Sequence, residues 1–291
     1  MTKAWDIYWQ SNTTANSFLC NYNETVGPYG LVNKLWHTFF ESLTSTNSVL
    51  DLGCGNGALS EFASNVLSSE LFPHFYNIDA ARVNKLVRHK RVSYLQDDMQ
   101  SLSLGDASVS HVISMFGLEY SSVHKSIPEF LRVLKKQGVW HCVCHHKDSV
   151  ITQQSQITMA VIDLLMQDEQ FVLLEKFKNT PKKQLQDHLL KCLQKHLQSV
   201  KLHEQEDVKL IGQTVFTILK SNIDSKQCIR ALGKFQQHLI MNKDRLLQQV
   251  ASANQADLID EIMHQLDVSQ WQVTPLLYEA KPIGWLFVGI K

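Results

Sequence analysis

From Ser48 to about Lys147, short apolar runs alternate with amphipathic stretches. That is the rhythm of strand and helix units laid into a largely parallel sheet. SVLDLG, HFYNID, VSYLQDD, HVISMFG and VWHCVCHH read as five successive strands. Between the first two, ALSEFASNVLSS places Leu59, Phe62, Ala63 and Val66 at helical spacing, so one apolar face can pack on the sheet. RVNKLVRH reads as a second helix, and SIPEFLRVLKKQG as a helix closed by Gly138.

The pattern then changes. Over 151–266 Gly and Pro nearly vanish and Gln becomes common, while QITMAVIDLLMQ, KKQLQDHLLKCLQKHLQ and CIRALGKFQQHLIM keep a helical period. WQVTPLLYEA and IGWLFVGIK return to strand composition and read as a hairpin turning at Lys281 and Pro282. The predicted fold class is therefore α/β: a mostly parallel seven-stranded sheet with an antiparallel last strand and a helical insertion. Three parts follow: an N-terminal helical segment over 1–47, a core over 48–150 and 267–291, and the insertion over 151–266 between the fifth and sixth strands. Within 1–47, Leu35, Trp36, Phe39, Phe40 and Leu43 fall at helical spacing and are expected to pack on the sheet.

Charge narrows the partners. The 291 residues carry 28 Lys+Arg against 28 Asp+Glu, and the insertion is close to neutral by itself, so no strong pull on nucleic acid is expected. No apolar run reaches the roughly 18 residues of a membrane span, and the start MTKAWDIYWQSNTT reads as neither a signal nor an anchor. The six cysteines, at positions 20, 54, 142, 144, 192 and 228, are thinly spread, which fits a reduced, cytoplasmic chain.

VLDLGCGNG, residues 49–57, is a strand ending in an acid, then a glycine turn into a helix. Gly53, Gly55 and Gly57 let the backbone bend sharply and lie against a ligand, and the helix start offers N–H groups. Gly53, Gly55 and Ala58 also satisfy a loose dinucleotide-binding pattern. The next strands, however, also end in acids, Asp79 and Asp98, and Asp51 beside the loop would repel a pyrophosphate. An acidic series suits a cationic ligand better.

VLDLGCGNG, NIDAA, YLQDDMQSLSLGDASVSHVIS and LRVLKKQGVWHCVCHH together resemble, in order, the motifs of the class I, Rossmann-like, S-adenosylmethionine-dependent methyltransferases. The resemblance covers about 48–147 and again 270–291. It implies that Gly53, Cys54 and Gly55 lie along the methionine part of the cofactor, with Asp51 reaching its amino group. It likewise implies that Asp79, with Ala80, holds the ribose and that Asp98 and Met99 meet the adenine. Met115 and Phe116 would line the path to the sulfonium methyl. In similar enzymes the N-terminal region covers the cofactor, which makes Tyr8, Tyr22 and Tyr29 candidates for that cover, and the insertion is often a substrate cap. Its alternative role is dimerisation or plain packing. The chain departs from the family pattern at Asp97, where glycine is common, and at Gln137, where proline is common.

Methyl transfer needs alignment and exclusion of water more than it needs a base. If a base is used, Glu119, Tyr120 and either His145 or His146 stand at the strand ends, with His146 the favoured histidine. Cys142-x-Cys144-His145-His146 suggests a metal, but two thiols on one strand face fit core packing, and no metal is expected. The expected activity is methyl transfer from S-adenosylmethionine, leaving S-adenosylhomocysteine, to a small molecule. The competing readings are a cofactor-binding scaffold whose insertion meets a protein partner, and a nicotinamide-dependent oxidoreductase. FGLEY after the fourth strand matches no acceptor-specific signature.

Overall fold

The computed structural model describes residues 2–14, 26–199, 206–253, 256–266, 268 and 270–291. The chain forms two compact units: residues 1–153 with 248–291, and residues 154–247.

The first unit is built on the sheet. Its strands are β1 (Ser48–Leu52), β2 (His74–Asp79), β3 (Val92–Gln96), β4 (Val109–Met115), β5 (Leu134–His145), β6 (Gln270–Tyr278) and β7 (Lys281–Ile290). Among the described residues they form one seven-stranded sheet in the order β3-β2-β1-β4-β5-β7-β6. The pairs among β1 to β5 are parallel, and β7 runs antiparallel to both β5 and β6. The expected sheet, with its antiparallel last strand, is observed.

The central strands are apolar on both faces because both faces are covered. Leu50, Leu52 and Val112 face α4 (Val123–Val133) and α10 (Ala256–Gln265), meeting Ile127, Phe130, Ile259 and Ile262. Val49, Phe75 and Ile113 face the other way, onto α2 (Gly27–Glu41) and α3 (Ala58–Val66). There Trp36 and Phe40 are fully buried and their rings stack at 5.8 Å. Leu43, Leu59, Phe62 and Ala63 are buried beside them, and Leu35 and Val66 are partly buried against the same cluster. Parallel pairing puts the C-terminal ends of β1, β2, β3 and β4 at one edge, where open parallel sheets bind ligands.

Three local expectations fail, each for a physical reason. RVNKLVRH forms no helix. Its backbone donors are taken by side chains instead: Arg82 N–H by Asp6, Asn84 N–H by Asn56, and Val87 N–H by the Tyr94 hydroxyl. Helix α4 ends at Val133, five residues short of Gly138, and passes straight into β5, whose first residues pair with Val109. The hairpin turns at Glu279 and Ala280 rather than at Lys281 and Pro282, which pair with Tyr278 and Leu277.

The remaining helices are α1 (Thr2–Ser11), α5 (Val150–Gln167), α6 (Glu169–Val172), α7 (Lys182–Ser199), α8 (Glu206–Lys220) and α9 (Ser225–Ser252). The second unit has its own core, in which Ile162, Leu185, Leu189, Val215, Cys228 and Leu232 are buried. The insertion anticipated over 151–266 thus contains more than this unit, since α10 packs on the sheet beside α4. Among the described residues no helix is long and apolar enough to cross a membrane.

Glu279 and Ala280 have φ of 50° and 62°, as a two-residue hairpin turn requires, but neither is a residue that adopts that region cheaply. Ala280→Gly should therefore stabilise the fold by about 0.5–1 kcal/mol, read as a higher denaturant midpoint with unchanged slope. A lower midpoint would contradict the turn geometry.

Candidate functional site

After β1 the chain turns through Gly53, Gly55 and Gly57, whose φ values are 68°, 53° and 100°. The left-handed backbone is required on steric grounds as well. A Cβ on Gly53 would lie 2.8 Å from the Cα of Gly117, and one on Gly57 2.1 Å from the Tyr94 hydroxyl oxygen. That hydroxyl donates to the carbonyl of Asn56 at 2.9 Å. The ends of β1 and β4 are also tied by Ser114, whose hydroxyl donates to the Leu52 carbonyl at 2.8 Å and accepts the Leu118 N–H at 2.9 Å.

Asp79, the last residue of β2, fixes the loop from the side. Its Oδ2 accepts the Gly55 N–H at 2.9 Å and its Oδ1 the Ala81 N–H at 2.8 Å. Burial pushes its carboxyl up to about 6 against the pull of those N–H groups, with Asp6 adding to the rise. Each oxygen retains a second lone pair with which to accept from a ligand.

Asp51 lies deeper. It is 1% exposed, and its Oδ2 has no hydrogen-bond partner among the described residues. Burial, and then the charge of Asp79, push this carboxyl up to about 8. A buried carboxylate with no cation is costly, and two acids so placed at strand ends mark a site shaped for a ligand that brings a positive or N–H-bearing group.

A cavity of about 210 Å³ lies at this edge of the sheet. It is lined by Gly53, by Asp79, Ala80 and Ala81 after β2, by Asp98, Met99 and Gln100 after β3, and by Phe116, Gly117, Tyr120 and Ser121 after β4. Trp5 and Trp9 of α1 line it as well. Phe116 takes a left-handed backbone with φ of 55°, a conformation disfavoured for a large side chain and concentrated at functional sites. Asp98 accepts the Gln100 N–H at 2.9 Å, while Asp97 accepts both the N–H and the hydroxyl of Ser103 at 2.7 Å. Asp97, standing where the resembled family often has glycine, therefore organises the turn after β3.

Helix α1 is held over the loop by two asparagines. Asn56, fully buried within the glycine turn, donates from Nδ2 to the carbonyls of Trp9 and Asn12 at 3.1 and 3.3 Å, and accepts the Asn84 N–H at 2.8 Å. Asn84 Nδ2 reaches the same two carbonyls at 2.9 and 3.0 Å. An ion pair of Asp6 with Arg82 adds a further tie at 3.2 Å.

Of the residues expected at the site, Gly53, Asp79, Ala80, Asp98, Met99, Phe116 and Tyr120 line the cavity. Gly55 sits at its edge against the Trp9 ring, and Asp51 lies buried beside it on the same strand end. Cys54 contributes backbone only: its N–H bonds the Ile78 carbonyl, and its buried thiol turns to the Gly55 carbonyl at 3.2 Å. Met115 packs into the core on the α2 and α3 side.

Glu119 is buried behind the wall. Its Oε1 accepts the His145 N–H at 2.8 Å and lies 2.6 Å from His145 Nδ1, while Oε2 has no partner among the described residues. It is therefore no solvated loop residue, and the histidine it meets is His145. His146 instead stacks on Trp285 at 4.8 Å, away from the cavity lining. Tyr120 meets Trp5 edge-on at 5.1 Å and His145 at 5.8 Å.

Tyr8 packs on Trp5 and Trp9 rather than on the cavity, Tyr29 is half-buried on α2, and Tyr22 lies outside the described residues. Cys142 and Cys144 are fully buried in the sheet core. Of the N-terminal aromatics in the segment expected to cover the cofactor, Trp5 and Trp9 line the cavity rather than the tyrosines singled out as candidates, and the clamp of Asn56 and Asn84 was not foreseen. The polar residue set between two glycines was the available signal for Asn56.

Residues 50–142 match the family model described as a methyltransferase domain. No curated protein matches the chain in sequence. Among solved structures, the chain is similar to the complex between the Haloferax volcanii Trm112 methyltransferase activator and a methyltransferase. That match has 25% identity over 40% of this chain and 55% of the other, with a TM-score of 0.33. It is also similar to an Aquifex aeolicus S-adenosylmethionine-dependent methyltransferase, at 24% identity over 39% of this chain and 64% of that one, TM-score 0.33. A Methanococcus maripaludis protein described as an S-adenosyl-L-methionine-dependent methyltransferase aligns over 88% of this chain and 82% of its own, at 11% identity and a TM-score of 0.43. The chain spans about half the length of the Haloferax chain it matches. The segment similar to the methyltransferase-domain model, residues 50–142, spans the glycine loop and the acidic residues Asp51, Asp79 and Asp98.

Proposed function

We propose that the protein transfers a methyl group from S-adenosylmethionine to a small-molecule acceptor. The observation that carries this reading is the cavity lined by Asp79 and Asp98, with the buried Asp51, whose Oδ2 has no hydrogen-bond partner among the described residues, two positions before the Gly53 that also lines it. The cofactor supplies a methyl carbon already activated by positive sulfur.

The chain's own groups fit that partner. Asp51 is assigned the cofactor's ammonium group, Asp79 the two ribose hydroxyls, for which its oxygens have spare lone pairs, and Asp98 the adenine amino group. Trp5 and Trp9, which line the cavity, are assigned the cover that excludes water and meets the cation. Tyr120, on the wall, is assigned the contact with the acceptor. Glu119 is assigned a positioning role, holding His145 and through it the Tyr120 and Phe116 rings. His146, stacked on Trp285, is assigned no contact. The insertion leaves the sheet at the carboxyl end of β5, the edge at which such sheets bind ligands, and is assigned acceptor selection. Its near neutrality favours choice by shape over choice by charge.

Calorimetry of the folded protein should show binding of S-adenosylmethionine and S-adenosylhomocysteine and none of NAD or NADP. Asp79→Ala should weaken the former by at least about tenfold, or 1.4 kcal/mol. Absence of binding to the wild type would sink the proposal.

A second test uses pH. In the ligand-free protein the Asp51 carboxyl is raised to about 8 from an ordinary 3.8. The stability this group contributes is therefore full below about pH 4 and is lost as pH rises through about 8. Asp51→Asn removes that loss, so the variant should be more stable than wild type at pH 9, with the advantage fading toward pH 4. It should also bind S-adenosylhomocysteine more weakly at pH 8, because the carboxylate that faces the ammonium is gone. A variant that loses stability at pH 9 would show that Asp51 is satisfied in the free protein.

A further inference from the structure

We infer that the helical unit holds a divalent transition-metal site of the zinc class, formed by Asp168, His188 and Cys192. This site lies apart from the cavity and does not depend on the proposed activity. His188 and Cys192 are four residues apart on α7, so they project from one face one turn apart. Asp168 stands in the joint between α5 and α6. One donor atom of each residue lies within 4.8 Å of the other two, and the Cys192 sulfur is 3.3 Å from His188 Nε2.

Tetrahedral zinc bound at about 2.0–2.3 Å holds its donors roughly 3.3–3.8 Å apart. The closest pair here already has that spacing, and the third donor needs about an ångström of side-chain rotation. All three residues are half-buried. Buried Leu189 and Leu193 on α7 and Phe171 on α6 lie beside them in the chain and anchor both elements.

The donor set selects the ion. A thiolate, an imidazole and a carboxylate are the borderline mixture that zinc prefers over magnesium or calcium. The charges also balance, since one thiolate and one carboxylate neutralise a dication. On binding, the Cys192 S–H bond breaks and its proton leaves to solvent, the sulfur lone pair enters the metal bond, and His188 donates from Nε2 with its proton on Nδ1. Water completes the fourth position. Such an ion would pin the α5–α6 joint to α7. The sequence-based expectation of no metal rested on Cys142 and Cys144, which are indeed core residues, and did not consider this cluster.

The test is a titration of full-length, chelator-stripped protein with Co²⁺, followed by Zn²⁺. One equivalent of Co²⁺ should produce a thiolate charge-transfer band in the near ultraviolet, which Zn²⁺ abolishes by displacement. Cys192→Ser should lose the band, and Asp168→Asn should weaken Co²⁺ binding by about tenfold or more. Zn²⁺ should raise the unfolding temperature of wild type and leave Cys192→Ser unmoved, with circular dichroism confirming that each variant is folded. No band in folded wild type, or the same band in Cys192→Ser, would overturn the site. Should Cys192→Ser not fold, His188→Gln decides: unchanged Co²⁺ affinity overturns the site and about a tenfold loss supports it.

Discussion

The backbone from Gly53 to Gly57 is the joint on which the sheet unit depends. Three left-handed glycines bring the end of β1 within backbone contact of Gly117 after β4, and they turn the Gly55 N–H onto Asp79. No side chain can occupy Gly53 or Gly57 without displacing backbone or the Tyr94 hydroxyl. Asn56, the polar residue inside the turn, then carries α1, so the helix whose Trp5 and Trp9 line the cavity is fastened to the loop whose Gly53 also lines it. Changes at the loop should therefore reach both the ligand contacts and the N-terminal helix.

Electrostatics in this joint run against stability. Asp51 is buried without a partner for one oxygen, and Asp79 beside it raises its proton affinity further. A fold selected for stability alone would place an apolar residue at that point of β1, as it does at Val49, Leu50 and Leu52. The cost is local, and the apolar faces of β1 and β4 on either side absorb it. A ligand carrying an ammonium group would remove it. The left-handed Phe116 on the same cavity is a second place where local strain coincides with the site.

Beyond the sheet, the helical unit has an independent apolar core and its own polar cluster at Asp168, His188 and Cys192.

Much of the sheet unit is legible in the chain itself. The apolar alternation gives the strands and α3, because a sheet covered on both faces leaves a period that neighbouring residues alone reveal. The glycine spacing and the acids at 51, 79 and 98 point to the ligand edge because strand ends are local features. What sequence could not decide depends on partners distant in the chain. Residues 82–89 have a helical pattern, yet Asp6, Asn56 and Tyr94 capture their donors. Glu119 reads as a loop carboxylate, yet β5 brings His145 to it and buries both. The N-terminal aromatics do not tell by themselves which of them meet the cavity; Asn56 and Asn84 hold α1 so that Trp5 and Trp9 line it. Local pattern sets which elements form, whereas long-range hydrogen bonding and burial determine which of their side chains become chemistry.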